Sequence, residues 1–335
     1  MRGFFDPRQL AHAPAKELHN GSFVDYAETP ARAEAIVAAL GSLVEAPADH
    51  GEAAILAVHD AGYVDFLKTA PARWSAAGRA GDVMGYIWPI RGRRPLKLDR
   101  IDALAGRYSL DASTPLTADT WGAAYWSAQS VLSALEAIIA GDPAAFALCR
   151  PPGHHAGPDY LGGYCHLNTA AIAAQAAIDG GMKRVAILDV DYHHGNGTQD
   201  IFWARGDVFY ASIHADPATD YPFYWGHADE RGEGAGEGWT LNLPLPQGTA
   251  IDAFRRAQGA ALAAITGFAP DLLIVSFGAD TYVDDPISGF ALRTDDYATI
   301  ARDIAACGWP TLIAMEGGYA VDALGRNVAS FLSGF

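Results

Sequence analysis

Val185-Ala-Ile-Leu-Asp189-Val-Asp191-Tyr-His193-His194-Gly-Asn196-Gly-Thr198 decides how the rest of the chain is read. It opens as a short apolar run suited to a buried strand and passes at once into carboxylates and imidazoles. Four other apolar runs behave in the same way. Residues 145–149 lead into Arg150-Pro-Pro-Gly-His154-His155, and 208–213 end at His214. Residues 272–277 run into Gly-Ala-Asp280, and 311–315 into Glu316-Gly-Gly-Tyr319. Helical periodicity over 31–40, 120–140, 170–178, 251–265, 294–306 and 321–331 separates these runs. The alternation predicts a single-domain α/β fold: a mainly parallel sheet with helices on both faces. Ligands of such sheets bind at the C-terminal strand ends. The polar residues all fall there.

Two segments interrupt the alternation. Residues 71–118 are rich in Pro, Gly and Arg and read as an inserted excursion. Residues 215–238 contain Asp216-Pro217, Tyr221-Pro222 and a glycine-rich run, and read as a loop. Loops this long in a compact domain usually carry function or meet a partner.

The whole chain has 335 residues, half of them apolar and 19% charged, which suits a globular domain with a sizeable core. Its net charge of −16 argues against nucleic-acid or anionic-membrane partners, since both need a cationic face. No apolar run reaches the roughly 18 residues of a membrane span. The N-terminal stretch lacks a signal-peptide core. Three cysteines without close pairing, Cys149, Cys165 and Cys307, do not form a disulfide framework. The expected setting is cytoplasmic.

The chemistry follows from residue type and spacing. On a strand, Asp189, Asp191 and His193 would share one face. Two carboxylates and an imidazole there repel one another unless a cation sits among them. Zn²⁺ accepts N and O donors and keeps an open position in catalytic sites, with Asp280 as the natural third ligand. The bland alternative is a solvated turn with a helix cap. His154-His155, held by a stiff Pro-Pro-Gly turn, suits acid–base work near neutral pH. Tyr319 after two glycines offers a hydroxyl to a developing oxyanion. Taken alone, that last motif reads as an ordinary turn.

Together these stretches, with Gly162-Gly163-Tyr164-Cys165 and Lys16-Glu17-Leu18, resemble the zinc-dependent histone deacetylase superfamily of the arginase/deacetylase fold, and within it the bacterial acetylpolyamine amidohydrolases. The resemblance implies Asp191, His193 and Asp280 as ligands of Zn²⁺, with Fe²⁺ as the alternative. It implies His155 as general base and acid, and His154 as a cationic companion oriented by Asp189. Asn196 then stands beside His155, where some relatives carry Asp, and Tyr319 is the carbonyl-polarising hydroxyl. It further implies a structural K⁺ at Asp189, Ser212 and Ile213. Tyr164 and Tyr221 become tunnel walls, with Gly163 and Glu17 as further substrate contacts. The 71–118 excursion resembles an insertion that pairs two copies into a homodimer and narrows the tunnel mouth.

Glu17, Asp102 and Asp111 are candidates to attract a distal ammonium. Arg91, Arg93, Arg94, Lys97, Arg100 and Arg107 form a basic cluster in the same region, suited to a solvated or interface face, or to a substrate with a neutral or anionic far end. His166 and Thr169 depart from the family pattern beside the wall. The expected activity is removal of an acetyl group from a small acetylated polyamine or diamine. Acetyl-lysine deacetylation, a two-metal ureohydrolase and a catalytically silent ligand-binding module are the alternatives.

Overall fold

The computed structural model describes residues 1–89 and 97–335, so Arg91, Arg93 and Arg94 lie outside the described residues. The strands are β1 (Arg2–Phe4), β2 (Lys16–His19), β3 (Ser22–Asp25), β4 (Val44–Glu45), β5 (Ala144–Ala147), β6 (Val185–Asp189), β7 (Val208–Ala215), β8 (Thr240–Leu245), β9 (Leu272–Phe277) and β10 (Thr311–Met315). The α-helices are α1 (Pro30–Leu40), α2 (Ala53–Leu56), α3 (Ala61–Ala76), α4 (Ile101–Arg107), α5 (Thr120–Ile139), α6 (Thr169–Asp179), α7 (Asn196–Phe202), α8 (Ile251–Phe268), α9 (Thr294–Ala305) and α10 (Val321–Leu332).

Eight strands form one sheet in the order β4-β1-β5-β10-β9-β6-β7-β8, and every neighbouring pair is parallel. β2 and β3 make a separate antiparallel hairpin. The chain moves outward from β6 through β7 to β8, then returns to the other side of β6 with β9 and β10. The order reverses between β6 and β9. A crevice opens at such a switch point, and Asp189–His193 and Asp280 sit on its two lips.

Strand alternation explains the two cores. Val185, Ile187, Leu272 and Ile274 point to one face, covered by buried residues of α3, α5 and α6. Ala186, Leu188, Leu273 and Val275 point to the other, covered by α8, α9 and α10. Both faces being dry, these strands read as continuous apolar runs. Among the described residues no helix is long and apolar enough to cross a membrane.

The excursion is less irregular than its composition suggests. Residues 71–76 are the end of α3, which carries Pro71 inside it, and residues 101–107 form α4. Val83 and Leu116 exchange backbone hydrogen bonds and close the segment on itself. Three sheet strands give weak sequence signals: β1 and β4 are too short, and β8 is an edge strand carrying Pro244.

Candidate active site and metal centre

β6 ends at Asp189, so Asp191 and His193 are not on a strand as their spacing suggested. Two successive Asx-type turns bring them together instead. Asp189 Oδ1 accepts the Asp191 N–H at 3.2 Å, and Asp191 Oδ1 accepts the His193 N–H at 2.8 Å. Asp280 reaches across from the end of β9, where its Oδ1 accepts the Tyr192 N–H at 2.9 Å. His193 Nδ1 lies 3.4 Å from Asp191 Oδ1 and 3.1 Å from Asp280 Oδ2.

The ligand atoms of Asp191, His193 and Asp280 lie within 4.8 Å of one another, and both carboxylates are fully buried. Burial, and then the neighbouring Asp191 charge, pushes the Asp280 carboxyl above its ordinary value. Burial works against a charged His193, but the two carboxylates outweigh it and raise that ring to about 10. Two buried acids facing each other, with only the His193 and His154 rings to offset their charge, are the environment a divalent cation stabilises. One N and two O donors fit Zn²⁺ or Fe²⁺.

The two adjacent histidines occupy opposite electrostatic settings. His154 Nδ1 donates to Asp189 Oδ2 at 3.1 Å, and the same oxygen accepts the Tyr210 hydroxyl at 3.0 Å. Burial opposes protonation of His154, but Asp189, Asp191 and Glu316 raise it to about 10. His155 is held well below its ordinary value, by burial first and then by His154 and His193. Its Nδ1 lies 2.7 Å from Asn196 Oδ1, while Asn196 Nδ2 donates to the Tyr160 hydroxyl oxygen. The amide is thus oriented oxygen-first, His155 carries its proton on Nδ1, and Nε2 keeps a free lone pair.

The opposite wall is aromatic. Tyr164 and Tyr319 meet edge to face with ring centroids 5.6 Å apart, and Tyr221 packs edge-on against His155 at 5.0 Å. Burial pushes the Tyr319 phenol well above its ordinary value, so it stays a hydrogen-bond donor at neutral pH. Gly163 has φ +51°, and a Cβ there would fall 2.1 Å from the His155 ring, so only glycine fits. Glu17 Oε1 accepts the Tyr164 hydroxyl at 3.1 Å, whereas its buried Oε2 has no partner. Burial raises this carboxyl to about 7.

Other expectations change. Asp102 is bonded by Arg79 at 2.9 Å and Arg100 at 2.7 Å, so its charge is already neutralised. Asp111 builds the wall rather than the mouth. Its Oδ2 accepts the Gly163 N–H and the Tyr221 hydroxyl at 2.7 and 2.8 Å. Arg100 and Arg107 are paired with Asp102 and Asp159, and Lys97 is exposed. His166 is fully buried, edge-on to His12, and Thr169 opens α6 with its side chain buried. Asp189 and Ser212 are register partners on β6 and β7, with Ile213 next to Ser212. Both side chains there are already bonded, Ser212 to His214 at 2.8 Å, so K⁺ would depend on backbone carbonyls.

The sequence carries no signal for Arg32 or Asp285. Arg32, buried in α1, donates to the Gly318 and Glu316 carbonyls at 2.6 Å and stacks 4.8 Å from the Tyr319 ring. Asp285 accepts the Tyr319 N–H at 2.7 Å. Glu316, read only as part of a turn, accepts the Gly153 and His154 N–H groups at 2.6 and 3.1 Å. It therefore shapes the two-histidine turn.

The chain belongs to the histone deacetylase domain family, whose model matches residues 26–335. It is similar along its whole length to acetylpolyamine amidohydrolase 1 of Pseudomonas aeruginosa, with 51% identity covering 100% of this chain and 99% of that protein. The acetylpolyamine amidohydrolase of Mycoplana ramosa is 47% identical over the same shares. Among solved structures, an acetylpolyamine aminohydrolase from Burkholderia pseudomallei superposes with a TM-score of 0.96 at 45% identity, covering 100% of this chain and 98% of that one. The HDA15 HD domain is more distant, with a TM-score of 0.83 at 28% identity, covering 99% of this chain and 90% of that one.

Proposed function

We propose that the protein is a divalent-metal-dependent amidohydrolase that removes the acetyl group from a small N-acetylated amine, an acetylpolyamine or acetyldiamine. The observation that carries this is one crevice holding an Asp-His-Asp ligand set, a neutral histidine with a free nitrogen and a protonated tyrosine. The names of the similar proteins support the substrate class.

Asp191, His193 and Asp280 would hold the ion. Once bound, Zn²⁺ or Fe²⁺ supplies Lewis acidity toward a water and an acyl oxygen. His155 Nε2 accepts the proton of the attacking water and returns it to the departing amine nitrogen, and with the acid's own proton passing to the amine, water and amide become acetate and an ammonium. Cationic His154 favours the negative charge that builds up beside it. The Tyr319 hydroxyl donates to the developing oxyanion. Tyr164, Tyr221 and Gly163 narrow the approach to an extended chain. K⁺ at Asp189, Ser212 and Ile213 would be structural and takes part in no step.

The whole chain is read as one catalytic domain with 71–118 as its insertion. Tyr86, Ile87 and Trp88 in that insertion are exposed and apolar, which supports a homodimer joined there. A hydrolysis panel on metal-analysed protein tests the assignment. Acetylputrescine, acetylcadaverine and acetylspermidine are expected to exceed an acetyl-lysine peptide and an anionic N-acetyl compound in kcat/KM. No turnover of any acetylated amine would overturn it.

Glu17 gives a pH signature. Its carboxyl, raised to about 7, gains its charge as pH rises through that value. The ratio of kcat/KM for acetylspermidine over that for a neutral N-alkylacetamide is therefore expected to rise across pH 6–8 (roughly one unit either side), because catalytic ionisations cancel in the ratio. Glu17→Gln should flatten it.

A further inference from the structure

The hydrogen bonds behind the candidate base do not stop at Asn196. Asn196 Nδ2 donates to the Tyr160 hydroxyl oxygen at 3.2 Å, and that hydroxyl donates to Asp200 Oδ2 at 2.6 Å. Trp225 Nε1 donates to the other Asp200 oxygen at 3.0 Å. Every donor from His155 onward points the same way, and the series reaches a carboxylate. A series with that polarity is mutually reinforcing.

We propose that Tyr160, backed by Asp200, is a positioning residue for His155: its hydroxyl holds the Asn196 amide oxygen-first and thereby keeps the His155 proton on Nδ1 and Nε2 free. Without the hydroxyl, the nearest remaining acceptor for Asn196 Nδ2 is the His155 carbonyl at 3.4 Å. Only that longer bond then opposes an amide flip. A flipped amide presents N–H groups to His155 Nδ1, which favours the Nε2–H tautomer, and that tautomer cannot accept a proton at Nε2. An amide does not readily pass protons on, so the series orients the ring rather than conducting from it.

The local fold is built for this contact. The Gly157 N–H donates to the Tyr160 carbonyl at 2.9 Å, closing a turn that folds the ring back toward Asn196. A Cβ on Gly157 would lie 2.1 Å from the Tyr160 ring. Glycine is what lets the ring lie there.

This role rests on His155 being the proton acceptor of the amidohydrolase reading, and the test separates the two. In Tyr160→Phe, kcat for acetylputrescine is expected to fall about tenfold, the usual scale for a lost supporting partner, with KM within twofold. Imidazole ¹⁵N–¹H correlation spectra of the metal-loaded protein should show His155 as the Nδ1–H tautomer in the parent and an Nε2–H population in the variant. Gly157→Ala, which keeps the hydroxyl but displaces the ring, should reproduce both changes. Asp200→Asn should cost less than twofold on top of Tyr160→Phe, because coupled residues are not additive. Wild-type kcat with an unchanged tautomer in Tyr160→Phe overturns the role, as does a change confined to KM. If the parent turns over no acetylated amine, the hydrolase reading fails, and the tautomer alone decides for or against Tyr160.

Discussion

Tyr319→Phe is expected to lower kcat for an acetylated diamine by about 10²–10³ while leaving metal content and melting temperature near those of the parent. The size is that of one lost oxyanion donor, about 2.7–4 kcal/mol of transition-state stabilisation. The hydroxyl is the only part removed. The ring keeps its edge contact with Tyr164 and its place against the Arg32 guanidinium. The backbone keeps its bond to Asp285. None of the candidate ligands Asp191, His193 and Asp280 bonds the Tyr319 hydroxyl, so a bound ion should stay. KM should move little, since the hydroxyl acts on charge that appears only in the transition state. Near-parental turnover would remove Tyr319 from the mechanism.

Asp191→Asn is expected to have the largest effect, a loss of metal together with more than about 10³-fold in kcat/KM, the scale of several kcal/mol of Lewis-acid stabilisation. The amide matches the carboxylate in shape, and its oxygen can still accept one of the two N–H groups, from His193 and Gly317, that Asp191 now holds at 2.8 Å. It lacks the negative charge that offsets the cost of burying a cation. Metal analysis should show well under one ion per chain, with circular dichroism unchanged. A variant that kept both ion and activity would mean that the ion sits elsewhere. Among the described residues His154, Cys165 and Glu316 also lie close enough to share an ion, but His154 would first have to lose its proton.

The strands that carry the site could be read directly. Leu272–Phe277 and Thr311–Met315 are buried on both faces, so their residues are apolar throughout and their limits are sharp. β1 and β8 were not legible. One is three residues long, and the other is half-exposed at an edge. The grouping of the candidate ligands was legible despite partly wrong geometry, because strand spacing and a pair of Asx turns both bring Asp189, Asp191 and His193 to one side. Asp102 shows the opposite failure. It looked like a free mouth carboxylate, yet Arg79, 23 residues earlier, neutralises it. Asp111 likewise turned out to hold Gly163 and Tyr221 in place.

What the sequence determined by itself is the inventory and its order: five buried strands, each ending in residues able to bind a cation, move a proton or donate to an oxyanion. That information is local, since burial periodicity and side-chain chemistry belong to each segment alone. What only the tertiary structure decided is which charges are spent and which are free. Glu17 keeps an unpartnered oxygen, Asp102 does not, His154 is cationic and His155 neutral although they are neighbours in the chain. Those states depend on distances of about 3 Å between groups far apart in sequence and on the loss of water around them, and both arise only when the parallel strands pack side by side.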